Sequence, residues 1–158
     1  MSTIKAIKLI FAVFICHLAG MIGSLATYQA IPTWYAFLNK PVFNPPNWIF
    51  APVWLTLYTV MGIAAFIIWE KGLENEGVRK ALTIFGIQLI LNSIWSIIFF
   101  GLHLPLFAFI EIVIMWIFIL LTIIYFYRIS KTAGLILIPY ILWVSFASVL
   151  NLSIALLN

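Results

Sequence analysis

Indole and amide side chains inside long apolar runs are the residues of this sequence best placed for chemistry. Trp54, Trp95 and Trp143 lie in such runs, and so do the amides Asn92 and Asn151. An indole offers a flat apolar face with one N–H donor, and an amide is costly to place in hydrocarbon. Such a set predicts a pocket for a large, flat, mainly apolar ligand. The alternative is that the amides only fix helix packing through interhelical hydrogen bonds.

Helical periodicity places these side chains on three inward faces. With offsets of three and four residues, the faces are Ala51, Trp54, Tyr58 and Met61; Gln88, Asn92, Trp95 and Phe99; and Trp143, Ala147, Leu150 and Asn151. Trp54 and Trp95 lie about 9 Å from the ends of their runs at a helical rise of ~1.5 Å per residue. We therefore expect these faces to meet around one pocket.

The remaining polar residues inside the runs do not form a recognisable catalytic or metal site. Glu111 is a functional candidate because carboxylates are costly in a membrane, but it also lies in a second helical turn, where the dipole favours negative charge. His17 and His103 lie at different depths, so we expect no metal site, and we expect His17 to be a packing residue. Cys16 is the only cysteine, which excludes an intrachain disulfide.

The composition is that of a membrane protein. Of 158 residues, 66% are hydrophobic and 8% are charged, whereas soluble domains carry about 25% charged residues. No basic face exists to follow a phosphate backbone, so nucleic-acid binding is not expected. The length and the absence of a linker favour a single domain over residues 1–158.

Five runs are long enough to cross a bilayer, which takes about 20 helical residues. The predicted fold is therefore an all-α integral membrane bundle of five transmembrane helices, with spans over about 5–27, 48–69, 81–101, 105–127 and 133–157. The first run continues to about Thr27 and is followed by Tyr28-Gln29-Ala30-Ile31-Pro32 rather than a clean small-residue cleavage site, so we expect a retained helix. Pro105 fits a helix start, and Glu74–Gly77 and Ser130–Thr132 fit turns.

The basic residues predict the orientation. Seven of them lie on the side of the N-terminus, namely Lys5, Lys8, Lys71, Arg79, Lys80, Arg128 and Lys131, and only Lys40 lies on the other. The positive-inside rule then places the N-terminus inside and the C-terminus outside.

Residues 28–47 form a long outer loop with four prolines and several aromatics. Proline fixes φ and forces the preceding residue to be extended, so the loop should be stiff and pack back onto the bundle. Two interpretations stay open, an interfacial anchor and a lid over the pocket. The lid residues would be Trp34, Tyr35, Pro45 and Pro46.

Taken in order, several strings resemble the translocator protein family, also known as the tryptophan-rich sensory protein or peripheral benzodiazepine receptor family (TspO/MBR). They are Trp34-Tyr35, Lys40-Pro41, Asn44-Pro45-Pro46-Asn47-Trp48, Pro52-Val53-Trp54, Thr56-Leu57-Tyr58, Met61-Gly62, Gln88-Leu89, Leu91-Asn92, Trp95, Ile98-Phe99-Phe100-Gly101, Pro139-Tyr140, Trp143, Phe146-Ala147 and Leu150-Asn151. They cover nearly the whole chain and are highly specific together.

The resemblance implies a five-helix bundle, often a homodimer, in a multi-pass protein that we expect in a prokaryotic cell membrane. It implies a pocket closed by the first loop that binds protoporphyrin IX, haem and similar ligands such as isoquinoline carboxamides, with no cofactor required. The pocket implied by the matching strings contains Trp54, Asn92, Trp95, Phe99, Trp143, Phe146, Ala147 and Leu150. Sterol binding is not expected, because Leu152-Ser153-Ile154 follows Asn151 and the family's sterol pattern needs tyrosine and a basic residue there.

Three functions compete. The first is a receptor, carrier or sensor for porphyrins. The second is an enzyme that degrades porphyrin in light, since the resemblance implicates pocket tryptophans in such a reaction, here Trp54 and Trp143. The third is a small transporter or scaffold without a specific ligand.

Overall fold

The computed structural model describes residues 3–158, and these residues fold into a helical bundle. The helices are α1 (Thr3–Ala30), α2 (Asn47–Trp69), α3 (Glu76–Ser96), α4 (Pro105–Ile129), α5 (Lys131–Leu135) and α6 (Ile138–Leu157). A π-helical turn over Ile97–Gly101 continues α3, and a 3-10 turn occupies Tyr35–Phe37 in the first loop. The five apolar stretches, with α5 and α6 forming one of them, are long enough to cross a membrane, which confirms the predicted five spans.

Local hydrogen bonds move several predicted boundaries. Helix α1 continues through Ala30, so the first loop begins at residue 31 rather than 28. Asn75 caps α3 by accepting a hydrogen bond from the Gly77 N–H at 2.8 Å, which makes Glu76 and Gly77 helical rather than part of the turn. The fifth span is broken between α5 and α6, where Pro139 occupies the first turn of α6 and supplies no N–H.

The helices pack in a ring that is closed at one end and open at the other. Helix α1 packs against α2 and α3, α3 against α4, and α4 against α6, while α2 contacts α5 but has few contacts with α6. At Gly62 an added Cβ would lie 2.5 Å from the Val13 Cα, so this close crossing of α1 and α2 needs glycine. The gap between α2 and α6 lies at the end of the bundle that carries residues 31–46, here called the first-loop end.

Apolar side chains cover the outside as well as the core. Met61, Ile119 and Phe126 are fully buried, whereas Ile10, Leu25 and Leu142 on the outer surface are more than half exposed. At the end opposite the first loop, Lys8 Nζ lies 3.0 Å from Glu70 Oε1, and Lys5 Nζ lies 3.2 Å from Glu70 Oε2. The hydrogen bond from Lys8, with help from Lys5, lowers the pKa of the Glu70 carboxyl. An apolar exterior with charges confined to the ends is what a bilayer requires, and the protein is an integral, multi-pass membrane protein.

Candidate ligand-binding site

A cavity of about 380 Å³ lies at the first-loop end. This volume is within the range of small-molecule pockets, about 300–1,000 Å³. Its wall comes from α1, α2, α3 with its π-helical turn, α6 and the first loop. The residues that line it are His17, Gly20, Met21, Ser24, Thr27, Ile31, Tyr35, Asn47, Phe50, Ala51, Trp54, Leu55, Tyr58, Trp95, Ser96, Phe99, Phe100, Trp143, Ala147, Leu150, Asn151 and Ile154. The cavity is mostly apolar and aromatic, and its wall carries no Asp, Glu, Lys or Arg.

Six of the eight predicted ligand-binding residues share this wall. They are Trp54, Trp95, Phe99, Trp143, Ala147 and Leu150. Asn92 and Phe146 are not part of it: Asn92 is buried behind the wall, and Phe146 packs on Trp143 and on Phe43 of the first loop. The structure thus brings six of the eight predicted residues together around one space, and their role in ligand binding stays a prediction.

Asn92 belongs to a buried chain of polar groups. Its Oδ1 accepts a hydrogen bond from the Tyr58 hydroxyl, and its Nδ2 donates to the Tyr140 hydroxyl at 3.1 Å. The Tyr140 hydroxyl donates in turn to Gln88 Oε1 at 2.8 Å. Gln88 and Asn92 therefore point into the bundle as predicted, and this chain fixes the Tyr58 ring in the cavity wall. Tyr140 belongs to the family-like string Pro139-Tyr140, and a hydroxyl inside an apolar run needs a partner.

A second pair of hydrogen bonds orients Trp95. Its Nε1–H donates to Asn151 Oδ1 at 3.0 Å, and Asn151 Nδ2 donates to the Pro105 carbonyl at 2.7 Å. The Trp95 ring also stacks on Phe99 with 5.4 Å between ring centroids. Asn151, buried as predicted, thus links α3, α4 and α6 and holds one indole face toward the cavity.

The other two indoles stand on different sides of the cavity. Trp54 stacks on Tyr58 at 5.5 Å, and Trp143 meets Phe50 edge-on at 6.0 Å. The Trp143 Nε1–H is buried and has no hydrogen-bond partner within residues 3–158. A buried donor without a partner is costly.

The first loop forms the roof. The Tyr35 side chain is buried and lines the cavity, its hydroxyl donates to Asn44 Oδ1 at 2.9 Å, and burial raises the pKa of that hydroxyl. Trp34 stacks on His103 at 4.4 Å, and neither it nor Pro45 nor Pro46 lines the cavity. Of the four predicted lid residues, only Tyr35 therefore reaches the space that the loop covers.

Sequence reasoning missed the contribution of α1. His17, Gly20, Ser24 and Thr27 line the cavity. The small residues Gly20, Ser24 and Thr27 form a close-packing face of α1, and the sequence alone leaves open whether that face meets a neighbouring helix, a ligand or a second protomer. Met21 on α1 is 60% exposed and Leu55 on α2 is 58% exposed, yet both line the cavity. The cavity is therefore open sideways between the first-loop ends of α1 and α2.

Two further candidates lie apart from this cavity. Glu111 is buried, is not on the wall, and has no hydrogen-bond partner for either carboxyl oxygen among residues 3–158. In the same part of the chain, no three His, Cys, Asp or Glu side chains lie close enough to hold a metal ion.

Comparison with known proteins places this architecture in a family. A sequence model of the TspO/MBR family matches residues 12–157. The chain is 46% identical to the tryptophan-rich protein TspO of Archaeoglobus fulgidus, over 96% of this chain and 97% of that protein. It is 43% identical to the protein of the same name from Chlorobaculum tepidum, over 98% of each. The human translocator protein is 34% identical, over 85% of this chain and 80% of its own length. This five-span chain is thus a member of the TspO/MBR family.

Proposed function

We propose that the protein binds porphyrins, protoporphyrin IX and haem among them, and similar flat apolar molecules, and acts as a membrane receptor, carrier or sensor. The observation that carries this proposal is the cavity wall, where three indoles converge on one mainly apolar space. Aromatic walls with few polar groups favour large flat ligands through stacking and apolar contact.

We also propose that the first-loop end faces the outside. Seven basic residues lie at the opposite end and only Lys40 lies in the first loop, and basic residues are retained on the cytoplasmic side. A reporter fused after Asn158 should then be outside, and one inserted at Leu73 should be inside. Reversed reporters would place the cavity mouth on the cytoplasmic side.

A titration of the purified protein with protoporphyrin IX in the dark and under light tests the proposed binding. We expect Trp54→Phe and Trp143→Phe to keep porphyrin affinity within about tenfold, or ~1.4 kcal/mol, because phenylalanine keeps an aromatic face and most of the apolar contact. Trp48→Phe is the control, since Trp48 is exposed and lies off the wall. No saturable binding by the wild type would refute the proposal.

The same samples separate binding from photochemistry. If the protein is a binder, illumination yields no discrete product that depends on the protein. If it degrades porphyrin in light, wild type yields such a product, and the two phenylalanine variants, still loaded with porphyrin, do not. Phenylalanine is much harder to oxidise than indole, so it separates stacking from electron transfer.

A further inference from the structure

We propose that His17 is the proton-accepting anchor for a carboxylic acid group of the ligand, so that the cavity selects flat apolar acids over their neutral esters. The proposal rests on the proposed porphyrin-binding function and names the chemical class of ligand that the same cavity takes. It concerns a residue for which the sequence alone indicated only a packing role.

The hydrogen bonds of His17 define which of its nitrogens is free. Nε2 lies 3.0 Å from Thr59 Oγ1, and that hydroxyl donates its single proton to the Leu55 carbonyl at 2.9 Å. Thr59 therefore accepts from Nε2–H, which leaves the lone pair of a neutral imidazole on Nδ1. Nδ1 has no hydrogen-bond partner within residues 3–158 and is not fully buried. Because His17 lines the cavity, a ligand can reach this nitrogen.

The rest of the wall gives an acid no other counter-charge. Its titratable side chains are His17, Tyr35 and Tyr58, and it carries no Lys or Arg. Tyr58, at 6.1 Å between ring centroids, is the aromatic neighbour of His17 and already donates its hydroxyl proton to Asn92. A lone carboxylate would be costly in such an apolar space, so an acid needs a group that can become its cation. Among the wall residues, only His17 carries a nitrogen lone pair that can accept the proton of the acid.

The proton transfer balances without any further reactant. An acid arriving from the bilayer breaks its own O–H bond, and the proton forms an N–H bond at Nδ1. An acid arriving ionised from water binds together with one proton from solvent, which goes to the same atom. Either route leaves a carboxylate that accepts from Nδ1–H, while Nε2–H remains on Thr59. No electron is gained or lost.

Coordination of a porphyrin metal is the main competing role for this nitrogen. Nδ1 is bonded to the ring carbon that carries Cβ, so the helix backbone stands close to anything that binds it. A wide macrocycle brought up to Nδ1 would collide with α1, whereas a carboxyl group at the end of a flexible arm would not. The geometry therefore favours the acid.

The test compares protoporphyrin IX with its dimethyl ester, using the full-length protein in lipid nanodiscs and tryptophan quenching in the dark. We expect the wild type to bind the free acid at least about tenfold more tightly than the ester, the scale of a hydrogen bond to a charged group. In His17→Gln the acid should weaken to within about threefold of the ester, while saturable binding of the ester, which transfers no proton, shows that the cavity is intact. His103→Gln is the matched control, because His103 lies off the cavity wall.

A second measurement needs no variant. In the infrared difference spectrum of wild type with acid labelled with ¹³C at its carboxyl groups, binding should show a carboxylate band and a protonated imidazole band together. Equal wild-type affinity for acid and ester would overturn the role of His17 and leave porphyrin binding standing, whereas binding of neither would overturn both. An acid preference that persists in His17→Gln but is lost in Lys40→Gln would place the anchor at Lys40 in the first loop. A haem Soret shift that disappears in His17→Gln would show metal coordination instead and would also overturn the proposal.

Discussion

Asn92 shows how a polar residue can shape a cavity without lining it. The family resemblance places it in the pocket, yet its amide is hydrogen-bonded to the hydroxyls of Tyr58 on α2 and Tyr140 on α6. The Tyr58 ring lines the cavity and Trp54 stacks on it. The contribution of Asn92 to the site is therefore to hold an aromatic wall in place.

Asn92→Leu should destabilise the protein and affect porphyrin binding less. The substitution removes the acceptor of the Tyr58 hydroxyl and one donor to the Tyr140 hydroxyl inside the bundle. An unpaired buried polar group costs about 1–3 kcal/mol. Unfolding by SDS titration measures the free-energy loss. Ser153→Ala is the control, because the Ser153 hydroxyl makes only an exposed hydrogen bond, to the Val149 carbonyl of its own helix. Unchanged stability with complete loss of porphyrin binding would make Asn92 a direct ligand contact.

At the scale of the helices, the crossing of α1 and α2 determines the shape of the cavity. The two helices touch closely at Gly62 and separate toward the first loop, where Met21 and Leu55 stand exposed on either side of the opening. A contact at one end of a helix pair thus sets the space at the other end.

Gly62→Ala should destabilise the bundle, whereas Gly86→Ala should not. The new Cβ at position 62 would lie 2.5 Å from the Val13 Cα and 2.9 Å from its backbone nitrogen, so the helices must move apart. A Cβ added at Gly86 would meet no atom within 4 Å beyond its own stretch of helix, and alanine is favoured over glycine in a helix by about 1 kcal/mol. Thermal unfolding in detergent compares the two variants. Equal melting temperatures would mean that α1 can shift at no cost.

The sequence predicts the helices better than the site because the two depend on different contacts. Apolar length alone indicates five spans, since a bilayer demands it. The end of α1 and the start of α3 depend on single hydrogen bonds, such as the Asn75 cap, which hydropathy does not register. The family-like string Phe146-Ala147 predicts that Phe146 lies in the pocket. Its ring instead packs on Phe43, because its contacts depend on how α6 faces the first loop. His17 was missed because nothing in α1 indicates which helix faces it.

At the scale of the whole molecule, the first loop is tied to the far end of the chain. The Asn39 N–H donates to Asn158 Oδ1 at 2.9 Å, and Asn158 Nδ2 donates to the Asn39 carbonyl at 3.0 Å. Tyr35 packs beneath the loop on Phe100 at 5.6 Å. The loop thus covers the cavity and is anchored at Tyr35 and at Asn39.

If the loop is a lid, bound protoporphyrin IX should protect residues 31–46 from hydrogen exchange. The ligand would contact Tyr35 from below and lower the rate at which the loop opens. Residues 70–75, at the opposite end, serve as the internal control and should exchange at the same rate with and without ligand. Unchanged exchange over 31–46 at saturating ligand would make the loop an interfacial anchor only.

The central claim is that flat apolar ligands occupy the cavity between α1, α2, α3 and α6, and filling that cavity tests it most directly. Ala147 lies on the wall, while Val149 on the same helix is 57% exposed on the outer surface. We predict that Ala147→Phe lowers protoporphyrin IX affinity by at least about tenfold, or ~1.4 kcal/mol, because the new ring takes the ligand's space. Val149→Phe should bind as the wild type does. Equal affinity for all three proteins in a fluorescence titration would contradict the claim and place the ligand elsewhere.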